Sequence, residues 1–336
     1  MSVTLSMASA QTRRCPARAA ACALLFAASV LVAVGAACAQ EVTYSGSLQL
    51  ATGKYLFSER TNSAYLFTGL TVRSGRLQLS ASLPLIYQST PWVSYTTGGG
   101  VPTGGPQGGE VADSLQRRPG GGPGMGMDSR AKLAGTLAAA AATGPGAAPI
   151  PLVGARLPRA MAARQSVSLP DTASFDQVGV ADPTLRVSVD LIPAENGPLS
   201  VTLSGEVKAP LADPARGFGT GAWDGGGAVS VAGRVGSTLL FGEVGYWALG
   251  DLPDLPLQNP VSYSVGIGHR LADGVSLVAS LSGYSRIVAG TDPPLDVGGA
   301  IGYRLGEGRS LSLGVTIGLS DSSPDASASV GWTVRL

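Results

Sequence analysis

The sequence predicts an all-β transmembrane protein, an antiparallel up-and-down β-barrel of about 12 strands with one long low-complexity extracellular loop. The first observation is the alternation of apolar with small or polar residues, as in LSLGVTIGLS at 311–320. The second is a mean hydropathy of +0.24 although no apolar run of 18 residues follows the N-terminal segment. The third is that short and long connections alternate between the predicted strands, as they do in outer-membrane barrels.

Residues 1–39 have the pattern of a signal peptide. A basic region precedes the apolar stretch ALLFAASVLVAVGAA at 23–37, and Ala37-Cys38-Ala39 fits a small-x-small cleavage site. We expect cleavage near Ala39, leaving residues 40–336 as a barrel in the outer membrane of a Gram-negative bacterium. A retained membrane anchor and a lipoprotein attached through Cys38 are the alternatives. All three cysteines lie in this segment, so no disulfide is expected in the mature chain.

Twelve strands of about 11 to 16 residues can be assigned from the alternation. The predicted strands are 42–57, 63–73, 76–87, 178–192, 199–210, 226–236, 238–249, 260–271, 275–287, 295–305, 310–320 and 326–336. Most are long enough to cross a bilayer at a tilt.

The connections fall into two classes. Tight turns are predicted at 74–75, 194–197, 236–237, 272–274 and 306–308, where Gly, Asn and Asp provide the turn signals. Long connections are predicted at 88–177, 211–225, 250–259, 288–294 and 321–325, and 58–62 is shorter. The tight turns are expected on the periplasmic side and the long connections on the extracellular side.

The two faces of the strands predict which solvent each meets. The apolar face almost lacks charge, whereas the opposite face is Ser, Thr, Gly and Ala with scattered charges. A soluble β-sandwich would carry large apolar side chains inward and more charge outside. We therefore expect lipid against the apolar face and water against the small residues, with a secreted soluble β-protein as the alternative.

The segment 88–177 differs from the rest of the chain. It contains TTGGGVPTGGPQGG and LAGTLAAAAATGPGAAP, tracts that cannot bury enough apolar surface to fold alone. It is predicted to be an extracellular loop inserted in the barrel. A flexible surface loop and a lid folded partly into the lumen are both open at this point.

No residue pattern predicts catalysis, a cofactor or a metal site. His269 is the only histidine, and it falls on the apolar face near a tight turn, away from any nucleophile or acid. With one histidine and no mature cysteine, a zinc site is not expected. The near-neutral charge balance gives no sign of nucleic-acid binding. We expect a protein that is not an enzyme.

Ten charged residues fall on the inward phase of the predicted strands and are candidates for lining the lumen. They are Arg186, Asp190, Glu206, Lys208, Arg234, Glu243, Arg270, Asp296, Arg304 and Arg335. Several of the arginines lie near the periplasmic side. A solvated rim, a positive ring that favours anions and charge pairing across the lumen are the alternatives.

Aromatic residues give a second set of candidates. Most of them share the apolar face, where an interfacial girdle is expected. Trp223 lies in a predicted extracellular loop, and Trp247 lies near the outer end of its strand on the inward phase. Both are possible solute contacts.

From about Asp176 to Leu336 the chain resembles the meta-pathway phenol-degradation family of outer-membrane transporters. The matching pieces are VGVADPTLRVSV at 178–189, Gly219-Thr220-Gly221-x-x-Asp224, VSYSVGIGHRL within 261–281, and SDSSPDASASVGWTV at 320–334. Ala181 stands where the family usually has Gly before Asp182. The resemblance implies a barrel that passes small aromatic or hydrophobic compounds.

The sequence as a whole predicts an outer-membrane channel for passive passage of small hydrophobic or aromatic compounds. Its expected partners are outer-membrane lipid, such a solute and the barrel-assembly machinery. A non-transporting structural or surface-display barrel is the alternative within the same fold.

Overall fold

A computed structural model describes residues 41–57, 59–96, 99–103, 177–212, 214, 217–252 and 255–336. The predicted signal peptide and its cleavage site, and most of the segment 88–177, lie outside these residues. No helix in the described part is long and apolar enough to cross a membrane.

The described chain forms fifteen strands. They are β1 (Glu41–Gly53), β2 (Thr61–Ser74), β3 (Leu77–Gln88), β4 (Ser94–Thr96), β5 (Gly99–Val101), β6 (Gln177–Val180), β7 (Thr184–Ile192), β8 (Leu199–Lys208), β9 (Asp224–Val235), β10 (Thr238–Ala248), β11 (Val261–Ala272), β12 (Val275–Tyr284), β13 (Leu295–Gly306), β14 (Arg309–Gly318) and β15 (Ala326–Arg335). A 3₁₀ turn, Ala194–Asn196, lies between β7 and β8.

Thirteen of these strands close into an antiparallel barrel with twelve strand positions around its wall, which we call staves. Each stave pairs with its neighbours in chain order, and β15 pairs with β1 from Thr43–Arg335 to Thr52–Ala326. The strands β6 and β7 both pair with β3 and form one interrupted stave, while β4 and β5 form a separate hairpin. The predicted twelve-stranded antiparallel barrel is confirmed.

The interrupted stave is where the predicted strand boundaries differ most from the structure. A continuous strand was expected over 178–192, but residues 181–183 leave the ladder between β6 and β7. Pro183 has no backbone N–H to donate, and Asp182 is drawn into buried contacts described below. The ladder with β8 begins only at the pair Thr184–Lys208.

The barrel has two unlike ends. At the tight-turn end, strands are joined by connections of two to six residues, and Gly75 and Gly236 have positive φ values of 56° and 59°. Such φ values are open to glycine at no steric cost, which lets the chain reverse within two residues. The long connections meet at the opposite, long-loop end.

Large apolar side chains cover the outer face. Leu313, Val315 and Ile317 are 46%, 62% and 56% exposed, and the alternating residues between them face inward. Outward tyrosines mark both ends: Tyr87, Tyr246 and Tyr263 near the long loops, and Tyr303 near the tight turns. An exposed apolar band bounded by aromatic residues is the surface of a membrane barrel, so the soluble alternative does not fit this fold.

Candidate functional site

A cluster of buried apolar side chains, named here the plug, lies at the long-loop end of the barrel. Its members come from the connections after β1, β3, β10 and β12, from β5 and from the end of β10. They are Tyr55, Phe57, Trp92, Val93, Val101, Trp247, Leu249, Leu252, Leu255, Leu257, Ile287 and Val288.

The β4–β5 hairpin and its flanks tie this plug to the wall. Val93 and Ser94 are fully buried, and the Gln88 side-chain amide at the end of β3 donates to the Val93 carbonyl over 3.0 Å. The Trp92 ring lies 6.0 Å from that of Phe57. Of the two possibilities raised by the sequence, residues 88–96 and 99–103 therefore fold inward, and are not a surface loop.

A buried ion cluster fixes the same end of the barrel. Lys208 Nζ lies 2.9 Å from Asp182 Oδ2 and 3.1 Å from Asp224 Oδ2, and it also donates to the Thr220 hydroxyl at 3.1 Å. All three charged side chains are fully excluded from solvent. Low dielectric strengthens these contacts and makes the loss of any one member costly.

The carboxylates of this cluster also hold backbone from two connections. Asp182 Oδ1 accepts from the Leu211 and Ala212 amides at 2.8 and 2.7 Å, and Asp224 Oδ1 accepts from the Gly250 amide at 2.9 Å. The aspartates thus shape loops through side-chain-to-backbone bonds. Lys208, predicted to line the lumen, is fully buried in this cluster and paired with both aspartates.

A cavity of about 270 Å³ lies inside the barrel, next to the plug. Half of its lining residues are aromatic, with inward residues of β1, β2 and β12 on one side and the β4–β5 hairpin on the other. The lining residues are Gln49, Ala51, Tyr55, Tyr65, Phe67, Tyr95, Gly99, Gly100, Tyr284 and Pro324. We call this the aromatic cavity.

Three rings form the centre of its wall. The Tyr65, Phe67 and Tyr95 centroids lie 5.9 to 6.2 Å apart pairwise, within the range of favourable aromatic contacts. Burial raises the pKa of the Tyr55 hydroxyl well above its usual value, so that side chain stays neutral. The cavity is slightly smaller than typical ligand pockets, which limits it to a ligand of about one aromatic ring.

Sequence reasoning did not single out these residues. Tyr65, Phe67 and Tyr284 occupy the inward phase of their strands, where almost every other residue is small or polar. A large ring on the small face was the available signal. Tyr95 carried no such signal, because it lies in the Gly-rich segment with no regular alternation around it.

The two tryptophans proposed as solute contacts lie in different environments. Trp247 is 7% exposed within the plug, and its indole N–H donates to the Ser262 hydroxyl at 2.9 Å. Its ring is therefore covered by protein. Trp223 is 64% exposed in the connection between β8 and β9. Neither lines the aromatic cavity.

The inward charges form two paired groups. Nearer the long-loop end, Arg186 lies 3.8 Å from both Glu206 and Glu243, and Glu243 also accepts from Ser230 at 2.5 Å. These are long contacts that solvent can reach.

At the tight-turn end, Asp190 accepts from Arg73 at 2.7 Å, and Arg335 binds Glu41 at 2.6 Å. Asp296 lies at the long-loop end of β13, where its Oδ1 has no hydrogen-bond donor among the described residues. The arginines of β9, β11 and β13, namely Arg234, Arg270 and Arg304, have no ion-pair partner in the described part of the chain. The predicted charges are thus spread over both ends and do not form one site.

His269 lies on the outward face near the tight turns. Its Nδ1 is 3.0 Å from the Thr238 hydroxyl on the neighbouring strand. Within the described ranges no group of three or more His, Cys, Asp or Glu side chains is placed to hold a metal ion.

Solved structures with the same fold are outer-membrane barrels. An outer membrane channel from Pseudomonas putida F1 aligns over 88% of this chain and 96% of its own, with a TM-score of 0.54 at 10% identity. At that identity the likeness shows the fold alone.

Two further neighbours are more distant. The toluene transporter TodX of P. putida aligns over 88% of this chain and 89% of its own at 12% identity and a TM-score of 0.36. The monoaromatic hydrocarbon channel CymD aligns over the same shares at 8% and 0.39. Both scores are too low to argue from. No protein-family model matches the chain, and a comparison with curated proteins gives no match.

Proposed function

We propose that this protein is a channel of the Gram-negative outer membrane that passes small hydrophobic or aromatic molecules passively, and that it belongs with the meta-pathway phenol-degradation family it resembles. The observation that supports the proposal is the aromatic cavity inside the lumen. A soluble core would fill such a space, whereas here about 270 Å³ is left open among five aromatic side chains. Lipid contacts the outer band, and the barrel-assembly machinery inserts the chain.

The cavity selects solutes by shape and polarity. Ring faces and edges of Tyr65, Phe67 and Tyr95 offer stacking and edge contacts, and the tyrosine hydroxyls offer a few hydrogen bonds. A sugar would leave many hydroxyls unpaired there, at a large desolvation cost. Monoaromatic compounds therefore fit better than polar solutes of equal size.

The test is binding of 4-fluorotoluene, followed by ¹⁹F NMR, to the protein refolded in neutral detergent. F67A and Y284A each remove part of the cavity wall and are expected to weaken binding about threefold to tenfold, the effect of one aromatic contact. Y263A is the matched control, because Tyr263 lies on the outer face of the same barrel. Equal effects of Y284A and Y263A would place the probe in the detergent layer and overturn the proposal.

The plug favours a second candidate, a barrel that transports nothing and displays its long loops. Its apolar side chains pack together at the long-loop end, where a closed barrel would need them. Flux separates the two: proteoliposomes that admit phenol faster than protein-free vesicles support the channel, and equal rates support the display barrel.

A further inference from the structure

Arginines at the tight-turn end recur at equivalent positions on every second strand. Arg234 lies near the end of β9, Arg270 near the end of β11, Arg304 near the end of β13, and Arg335 at the end of β15. Neighbouring strands lie about 4.8 Å apart, so successive members are separated by about 10 Å around the wall. All four are on the inward phase.

The backbone holds these four residues at one depth in the barrel. Each amide donates to a carbonyl of the tight turn that lies beside it: Arg234 to Pro198 at 2.7 Å, Arg270 to Ser237 at 3.0 Å, Arg304 to Gly274 at 2.7 Å and Arg335 to Gly308 at 2.7 Å. The repeated bond makes the set a structural series at this end.

The fourth member differs from the others in its partner. Arg335 is neutralised by Glu41, with Nε and Nη2 at 2.8 and 2.6 Å from one carboxylate oxygen. No described carboxylate lies within ion-pair distance of Arg234, Arg270 or Arg304. Three adjacent members therefore keep their full charge, and we call them the arginine arc.

A cavity of about 510 Å³ opens beside two members of the arc. Its polar lining includes Arg270, Arg304, Asp273, Ser276, Ser310 and Ser312. Asp273 is the acidic group of that lining, and it pairs with neither arginine. Ser310 is already bonded to Thr333 at 2.6 Å, and Ser312 donates to the Gly331 carbonyl at 3.5 Å, which leaves Ser276 to add a hydroxyl donor beside the guanidinium groups.

We propose that the arginine arc and this cavity form a binding site for the carboxylate of a small soluble organic anion. Guanidinium groups match a planar carboxylate with paired donors, and such charge-assisted bonds are stronger than neutral ones. Lipid headgroups, which also carry oxyanions, lie outside the wall and do not meet inward-facing groups. The inference deepens the proposed function, on which it rests for the lumen being a solute path, by adding that acidic aromatic solutes are favoured at the tight-turn end.

The experiment compares benzoate with its neutral counterpart benzamide by saturation-transfer NMR, using the full mature chain in neutral detergent. Benzoate is expected to bind more tightly, and the R270Q/R304Q variant to weaken it about tenfold, the loss of a charged hydrogen-bonding partner. Benzamide binding should not change. The R270K/R304K variant keeps the charge but lacks the planar guanidinium group. Its affinity for benzoate is expected to lie between those of the unaltered protein and R270Q/R304Q.

The matched control is R309Q, because Arg309 lies at the same end of the barrel on the outward phase. If R309Q weakens benzoate as much as R270Q/R304Q does, the effect is general surface charge and the proposal fails. Equal binding of benzoate and benzamide also overturns it. Retained 4-fluorotoluene binding in that case would show that the aromatic cavity, and with it the proposed function, stands without the arc.

Discussion

The two ends of the lumen are built from the same twelve strands and differ in what fills them. At the long-loop end, connections fold inward and bury the plug and an ion cluster that water does not reach. At the tight-turn end, the connections are too short to fold inward, and the interior is left to small side chains and accessible arginines. This difference shows that the alternation of residues along the strands determines which side chains form the barrel wall. The length of the connections determines which end is filled by buried side chains.

The largest expected effect comes from the buried ion cluster. K208M leaves Asp182 and Asp224 buried without their cation, which typically costs about 3–5 kcal/mol. A urea titration in lipid vesicles should show the midpoint falling accordingly. The triple variant D182N/K208M/D224N removes the uncompensated charges and should recover part of the loss, since an asparagine oxygen can still accept from the Leu211 amide. A K208M midpoint equal to that of the unaltered protein would mean that water reaches this end.

The plug itself is tested by removing its best-buried indole. Trp92 is 2% exposed, and W92A leaves a cavity whose local cost is about 3–5 kcal/mol. We expect the long-loop end to loosen and single-channel conductance in planar bilayers to rise. W223A is the matched control, because Trp223 is exposed and packs into no cluster. Unchanged conductance in W92A would show that the lumen is closed elsewhere.

A smaller loss of stability is expected at Gly226, where β9 of the barrel wall contacts the plug residue Trp247. A Cβ on Gly226 would clash with the Tyr246 carbonyl oxygen and would lie 2.5 Å from the Trp247 ring, whereas one on Gly225 would meet only the Glu206 carbonyl at 3.6 Å. G226A should therefore cost about 1–3 kcal/mol through overpacking, and G225A should cost less than 1 kcal/mol. The same urea titration measures both. Equal midpoints would mean that the Tyr246 backbone and the Trp247 ring both adjust freely, so that the wall is not tightly packed against the plug at this point.

The sequence predicts the strands of the barrel wall better than it predicts the buried contacts at the long-loop end. Alternation in segments such as 311–320 places the strands to within a few residues, because period-two patterning is a local property of the chain. The break at Ala181-Asp182-Pro183 was missed because its cause is distant: Asp182 bonds to Lys208 and to amides about 30 residues away. Such contacts leave no local periodic signal.

The aromatic cavity is a mixed case. Tyr65 and Phe67 on the inward phase could have been read from the sequence of β2 alone. Tyr95 could not, because its place beside them depends on the β4–β5 hairpin folding inward from a Gly-rich segment. The sequence therefore predicts the residues of the barrel wall at the candidate site, but not those of the β4–β5 hairpin that covers it.

The smallest expected effect tests the tight-turn end. Arg73 and Asp190 lie 2.7 Å apart, closer than the buried Lys208–Asp182 pair at 2.9 Å, yet their side chains are 41% and 23% exposed. Water already solvates both groups, so R73Q should cost less than about 1 kcal/mol, and Asp190 keeps its bond from Thr202 at 2.8 Å. In about 1 M salt the loss of stability caused by R73Q should shrink further, while the loss caused by K208M should persist. If R73Q lowers the urea midpoint as much as K208M does, both ends exclude water equally, and the contrast between a buried and a solvated end is wrong.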